Sequence, residues 1–180
     1  MLSAMVLFAA LLGASAHLAE ACQAGVDGNL IGVGSGKHGE LAFGPAEQLE
    51  IPLDGTVLGA RLSAIAEGKD EKPDALRLQL TDVTVFDKSV MGVRVFLDRS
   101  DGSSSIDLPG YVESLAFFPA PSGTPTGEVM GSFTIDLNDA AAALSDTGRL
   151  PRRGHKLTLI PIDSSGIPSG RIGLRSLDIL

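Results

Sequence analysis

The sequence predicts an all-β domain: an antiparallel β-sandwich, jelly-roll-like, with one short helix near residues 138–144. Three observations carry that prediction. Short apolar runs recur along the chain, and most alternate with polar residues at the period of two that sends successive side chains to opposite faces of a strand. The 22 Gly and 10 Pro punctuate those runs at intervals suited to strands and turns. Helical spacing is nearly absent, and neither a strand–helix–strand period nor an internal repeat occurs.

The elements follow in order. Leu49–Leu53 (LEIPL) alternates as a half-buried strand should, and Thr56–Ile65 (TVLGARLSAI) is read as its continuation, with Val57, Ala60, Leu62 and Ala64 facing the core. Ala75–Phe86 (ALRLQLTDVTVF) is the clearest strand, placing Leu76, Leu78 and Leu80 on one side and Arg77, Gln79 and Thr81 on the other. Near Asp82 the alternation slips and Val83 and Val85 take over the inner face, which predicts a bulge or bend. Met91–Leu97 (MGVRVFL) sets Val93 and Val95 against Arg94 and Phe96. After a polar loop, Asp98–Asp107, comes a strand over Tyr111–Phe118 between Pro109 and Pro119, then a loop over Ala120–Gly127 and a strand over Gly131–Leu137. Asn138–Leu144 (NDAAAAL) is the helical segment, with Asn138 as its cap, Asp139 in its first turn and Gly148 as its stop. Lys156–Ile162 and Arg171–Leu180 are the last two strands.

At 180 residues the chain suits one domain, and a domain of that size buries roughly 68–70% of the surface its unfolded chain exposes. Residues 1–21 are set apart as an export signal: the apolar run Val6–Gly13 is too short to span a bilayer, and small residues follow at Ala14, Ala16, Ala19 and Ala21. No Lys or Arg precedes that run, so a retained apolar helix stays open as an alternative. Residues 22–46 read as a Gly-rich leading segment and 47–180 as the sandwich. The expectation is therefore an exported chain, secreted or periplasmic, with no membrane span once the signal is removed.

Composition excludes several kinds of chemistry. The net charge of −8 and scattered Lys and Arg do not suit nucleic acid, and the scarcity of aromatics with no Trp weakens both stacking platforms for single strands and the aromatic platforms of sugar binders. A single cysteine, Cys22, can form neither an intramolecular disulfide nor a cysteine zinc cage. Gly34–Gly39 matches G-x-G-x-x-G as a string, but Gly44-Pro45 soon follows, where a dinucleotide site needs a helix. A phosphate loop fails as well, because His38 stands where a Ser or Thr must bind magnesium. The histidines are His17, His38 and His155, too few and too dispersed for a copper or catalytic zinc site, and His155 is read as a surface residue. No Ser lies in G-x-S-x-G. Asp98, Asp101 and Asp107 crowd one loop with Ser103 and Ser105, a set that could supply calcium ligands but reads as a solvated turn. No catalytic, cofactor-binding or metal-binding constellation is expected, and with it no enzyme activity of the chain's own.

Four stretches carry a family resemblance. Leu76–Val85 (LRLQLTDVTV) resembles a domain-opening strand. Gly92–Leu97 (GVRVFL) resembles the strand half of a plant signature, with Gly-Val-Arg where that signature has Lys-Phe-Asp. Tyr111–Phe118 (YVESLAFF) resembles the "YVGSLSFFG" strand of bacterial members. Phe133–Asp136, the short helix, Leu157–Pro161 and Ile172–Leu174 then follow in the same order. Together they make Asn29–Leu180 similar to the C-terminal β-sandwich domain that follows the di-copper domain of tyrosinases and polyphenol oxidases.

The resemblance implies that the copper-binding histidines belong to a preceding helical domain and that this sandwich docks on that domain, shielding its active-site mouth. It implies a tyrosinase-like copper protein as partner, and an exposed aromatic or Leu at a loop edge as the shielding residue. Tyr111, the chain's one phenol, is the candidate, with packing inside the sandwich as its alternative role. Two other readings stay open: a generic exported β-sandwich for adhesion or matrix attachment, and a fragment of a larger tyrosinase-like enzyme.

Overall fold

A computed structural model describes residues 43–69, 76–99, 102–124 and 126–180. The expectations placed on the export signal, on Cys22, His17 and His38 and on the glycine cluster Gly34–Gly39 lie outside these residues, as does the part assigned to Asp101.

Alternation along the chain becomes eight strands: β1 (Phe43–Ala46), β2 (Leu49–Pro52), β3 (Arg77–Val85), β4 (Gly92–Leu97), β5 (Tyr111–Ala116), β6 (Glu128–Asp136), β7 (Lys156–Ile162) and β8 (Ile172–Ile179). They form two four-stranded sheets, ordered β1-β8-β3-β6 and β2-β7-β4-β5, with all neighbours antiparallel. Every connection except β4–β5 crosses from one sheet to the other, which is the jelly-roll path. β1, at the end of the stretch read as the leading segment, pairs with β8.

The core lies between the sheets. Leu78, Leu80, Val83, Val85 and Ile135 of one sheet face Val93, Val95, Leu97, Leu157 and Leu159 of the other, all with no exposed surface. The slip expected near Asp82 is present. Asp82 has φ 52° and the β3–β6 register shifts between Leu80 and Val83, so one extra residue is absorbed and Val83 stays inside.

The stretch read as a strand over residues 56–65 is instead a helix, α1 (Val57–Ala66), so the domain has two helices where one was expected. Thr56 starts it, its hydroxyl oxygen accepting a hydrogen bond from Gly59 N at 3.0 Å. Leu58 and Leu62, one helical turn apart, supply its buried face. Gly59 lies so close to the end of β2 that an added Cβ would fall 2.2 Å from the Leu53 carbonyl oxygen.

The second helix, α2 (Asn138–Asp146), forms where expected, with Gly148 at φ 65° just past its end. Its start is built differently. The cap position is Leu137, and the Asp136 carboxylate accepts from Asn138 N at 3.0 Å. The Asn138 side chain reaches across to accept from Leu76 N at 3.2 Å. The two helices touch each other, and α2 also packs on β4 and β5. Leu53 N, just past β2, donates to His155 O, just before β7, and the Leu144 side chain faces Gly110.

Candidate functional site

Two features of the sandwich present chemistry. The first is at the edge of β5. Tyr111 is half-buried, packed edge-on against Phe96 at 5.8 Å between ring centroids, and its hydroxyl is 3.0 Å from Ser114 Oγ. Sequence alternation had carried the strand through Phe118, but it ends at Ala116. Phe117 turns inward, 3% exposed and stacked obliquely on Phe133. Phe118 turns outward and is 98% exposed, the most exposed large apolar side chain among the described residues. The loop that follows is pinned. Glu128 accepts from Ser122 N at 2.7 Å and from Ser122 Oγ at 2.6 Å, and these bonds hold its carboxyl below the usual carboxylate range.

The second feature corrects the reading of His155 as a surface residue and of Asp98 as part of a solvated turn. His155 is fully buried. Its Nδ1 lies 2.8 Å from Asp98 Oδ2 and its Nε2 lies 3.1 Å from Ser63 Oγ. Asp98, with its side chain 3% exposed, also accepts from Lys156 N at 2.8 Å through Oδ1. Its left-handed backbone, φ 46°, turns the carboxylate back towards β7. Three elements meet here: α1 through Ser63, the end of β4 through Asp98, and the start of β7 through His155.

The order Ser–His–Asp is that of a hydrolase triad, but the surroundings are not. Ser63 Oγ also lies 2.9 Å from Gly59 O, an acceptor that competes with His155 Nε2 for its one proton. The cavities of ≈ 440 and ≈ 290 Å³ at this end of the sandwich are not lined by Ser63 or His155. The arrangement is a buried polar bracket between helix and sheet.

Both cavities sit over the outer face of the sheet containing β4. The smaller, ≈ 290 Å³, is lined by Phe96, Asp98, Leu108, Leu144 and Arg149 among others. The larger, ≈ 440 Å³, is bounded by the β1–β2 turn, the loop after β4 and the loop between β7 and β8. Among the described residues no three His, Cys, Asp or Glu side chains gather as metal ligands, and no helix is long and apolar enough to cross a membrane.

No family profile matches the chain, and no curated protein matches it. Among solved structures the chain is similar to recombinantly expressed latent aurone synthase, a polyphenol oxidase, at TM-score 0.43 and 16% identity, covering 74% of this chain and 24% of that one. It is similar to the same enzyme from natural source at TM-score 0.39 and 16% identity, covering 59% and 20%. Latent apple tyrosinase matches at TM-score 0.38 and 16% identity, covering 59% and 21%. The chain spans about a fifth to a quarter of the length of these enzymes. They belong to the enzyme family whose C-terminal sandwich the sequence resembles.

Proposed function

We propose that this chain is an exported, non-catalytic sandwich of the tyrosinase C-terminal type, which docks on a di-copper phenol oxidase and shields its active-site mouth. The observation that carries the reading is Phe118. An aromatic side chain gains roughly 1.5–3 kcal/mol from burial, yet Phe118 stands 98% exposed beside its inward-turned neighbour Phe117. A rigid aromatic anchor projecting from a pinned loop edge is what insertion into a partner's cleft requires, because little conformational freedom is lost on binding. Tyr111, already packed against Phe96, has less to offer a partner than Phe118. The family resemblance of Asn29–Leu180 names the partner class.

The test uses the full chain as bait in the native extracellular or periplasmic fraction, followed by diphenol-oxidase assays of what is recovered. Expected is a di-copper oxidase whose turnover falls when the chain is added and recovers when Phe118→Ala is added instead. If no copper oxidase is recovered, or if Phe118→Ala inhibits as well as the wild type, the reading fails.

A further inference from the structure

The ≈ 290 Å³ cavity lies where the loop before β5 meets the end of α2. Its lining is mainly apolar. Leu108 and Pro109, both half-buried, line it from the loop, and Leu144 lines it from α2. Phe96 of β4, with no exposed surface, also borders it.

Two arginines line the same cavity. Arg149 N donates to Leu144 O at 2.7 Å, which seats this arginine beside that leucine. The Arg149 side chain is exposed and has neither a hydrogen bond nor an ion pair among the described residues. Arg77, Arg171 and Arg175, by contrast, each pair with a carboxylate, respectively Asp136, Asp87 and Asp82. Arg99 is held in place: Nε donates to Ser103 O at 2.6 Å, Nη1 donates to the Gln48 side chain at 2.7 Å, and the guanidinium lies 5.8 Å from the Phe96 ring centroid. One carboxylate, Asp98, borders the cavity as well, with both oxygens engaged by His155 Nδ1 and Lys156 N. Its charge offsets one guanidinium and leaves the other unanswered.

This combination selects a ligand. An apolar lining gains nothing from a small hydrated ion, which loses its water on entry, but gains from hydrocarbon. A guanidinium without a counter-charge takes a carboxylate, whose two oxygens match its planar donors. The volume is at the lower end of ligand sites, which begin at roughly 300 Å³, so the hydrocarbon body is short. We infer that this cavity binds a small apolar monocarboxylate, its hydrocarbon body against Leu108, Pro109 and Leu144 and its carboxylate on Arg149 and Arg99. The inference rests on the cavity alone and stands whether or not the chain docks on an oxidase.

The test is an NMR titration of the ¹³C-labelled full chain with hexanoate, against acetate, which lacks the body, and hexanamide, which lacks the charge, all at matched ionic strength. The methyl signals of Leu108 and Leu144 are the readout. Saturable movement with hexanoate is expected, with a Kd on the order of 1 mM or tighter, and binding of acetate and of hexanamide at least about tenfold weaker. Arg149→Gln should weaken hexanoate binding by about tenfold or more. Arg152→Gln, an equally exposed arginine that does not line the cavity, should leave it unchanged. Both positions are on the surface, so the two variants fold and carry the same change of net charge. Unmoved leucine signals, hexanamide or acetate binding as tightly as hexanoate, or equal losses in the two arginine variants would overturn the assignment.

Discussion

Replacing Asp98 by Asn probes the buried bracket most directly. The Asp98 side chain is 3% exposed and accepts from both His155 Nδ1 and Lys156 N. Asparagine keeps the shape but offers one acceptor oxygen and one donor NH₂. If the oxygen stays on Lys156 N, the NH₂ faces His155 Nδ1 where a carboxylate oxygen stood. Removing one partner of a buried pair costs about 3–5 kcal/mol. In a domain of this size each kcal/mol moves the melting temperature by about 2–4 °C, so Asp98→Asn should melt roughly 6–20 °C below wild type. Urea unfolding followed by circular dichroism measures the free energy, and a cycle with His155→Gln isolates the pair term. Ser63→Ala should cost less, about 1–3 kcal/mol, since it removes only the uncharged partner of Nε2. A loss below about 1 kcal/mol for Asp98→Asn, or strictly additive losses in the cycle, would refute the bracket. An activated ester adds a separate check: wild type and Ser63→Ala should hydrolyse it equally, at background, and an excess that Ser63→Ala abolishes would restore the triad.

The remaining predictions concern single positions. Burial first, and the Asp136 carboxylate second, raise the pKa of the half-buried Glu113 above its ordinary 4.5. The folded state therefore binds that proton more tightly than the unfolded state, and stability falls as pH rises through the folded pKa. Glu113→Gln should raise the melting temperature at pH 7 relative to wild type, with the advantage vanishing at acid pH; scans across pH would show it. Gly59→Ala, which at an open helical position would stabilise by up to about 1 kcal/mol, should instead destabilise by about 1–3 kcal/mol, because its Cβ would fall 2.2 Å from the Leu53 carbonyl oxygen. Calorimetry gives the sign. Phe118→Ala should leave unfolding within about 0.5 kcal/mol of wild type, since the ring touches almost nothing, so any effect on docking can be read without a folding correction.

Local periodicity by itself determined the class and most of the strands. Leu49–Pro52, Arg77–Val85, Gly92–Leu97 and Lys156–Ile162 are legible because a half-buried strand writes its two faces into consecutive residues, and Asp82 is legible because the alternation breaks there. Val57–Ala66 was not legible. Its short apolar run suits either period, and what selects the helix is the Thr56 cap and the approach of Gly59 to Leu53, which the folded end of β2 provides. The site residues depended on tertiary structure still more. His155 meets Asp98 and Ser63 across 57 and 92 residues of chain, separations at which no local pattern signals a contact. Phe118 looked like one more strand residue until Phe117 took the inward place. Arg94 and Arg99 look like ordinary surface cations in sequence. In the folded chain Arg94 Nε is buried and Arg99 bridges Ser103 O and the Gln48 side chain, neither with a carboxylate partner among the described residues, because burial and pairing are properties of the assembled chain.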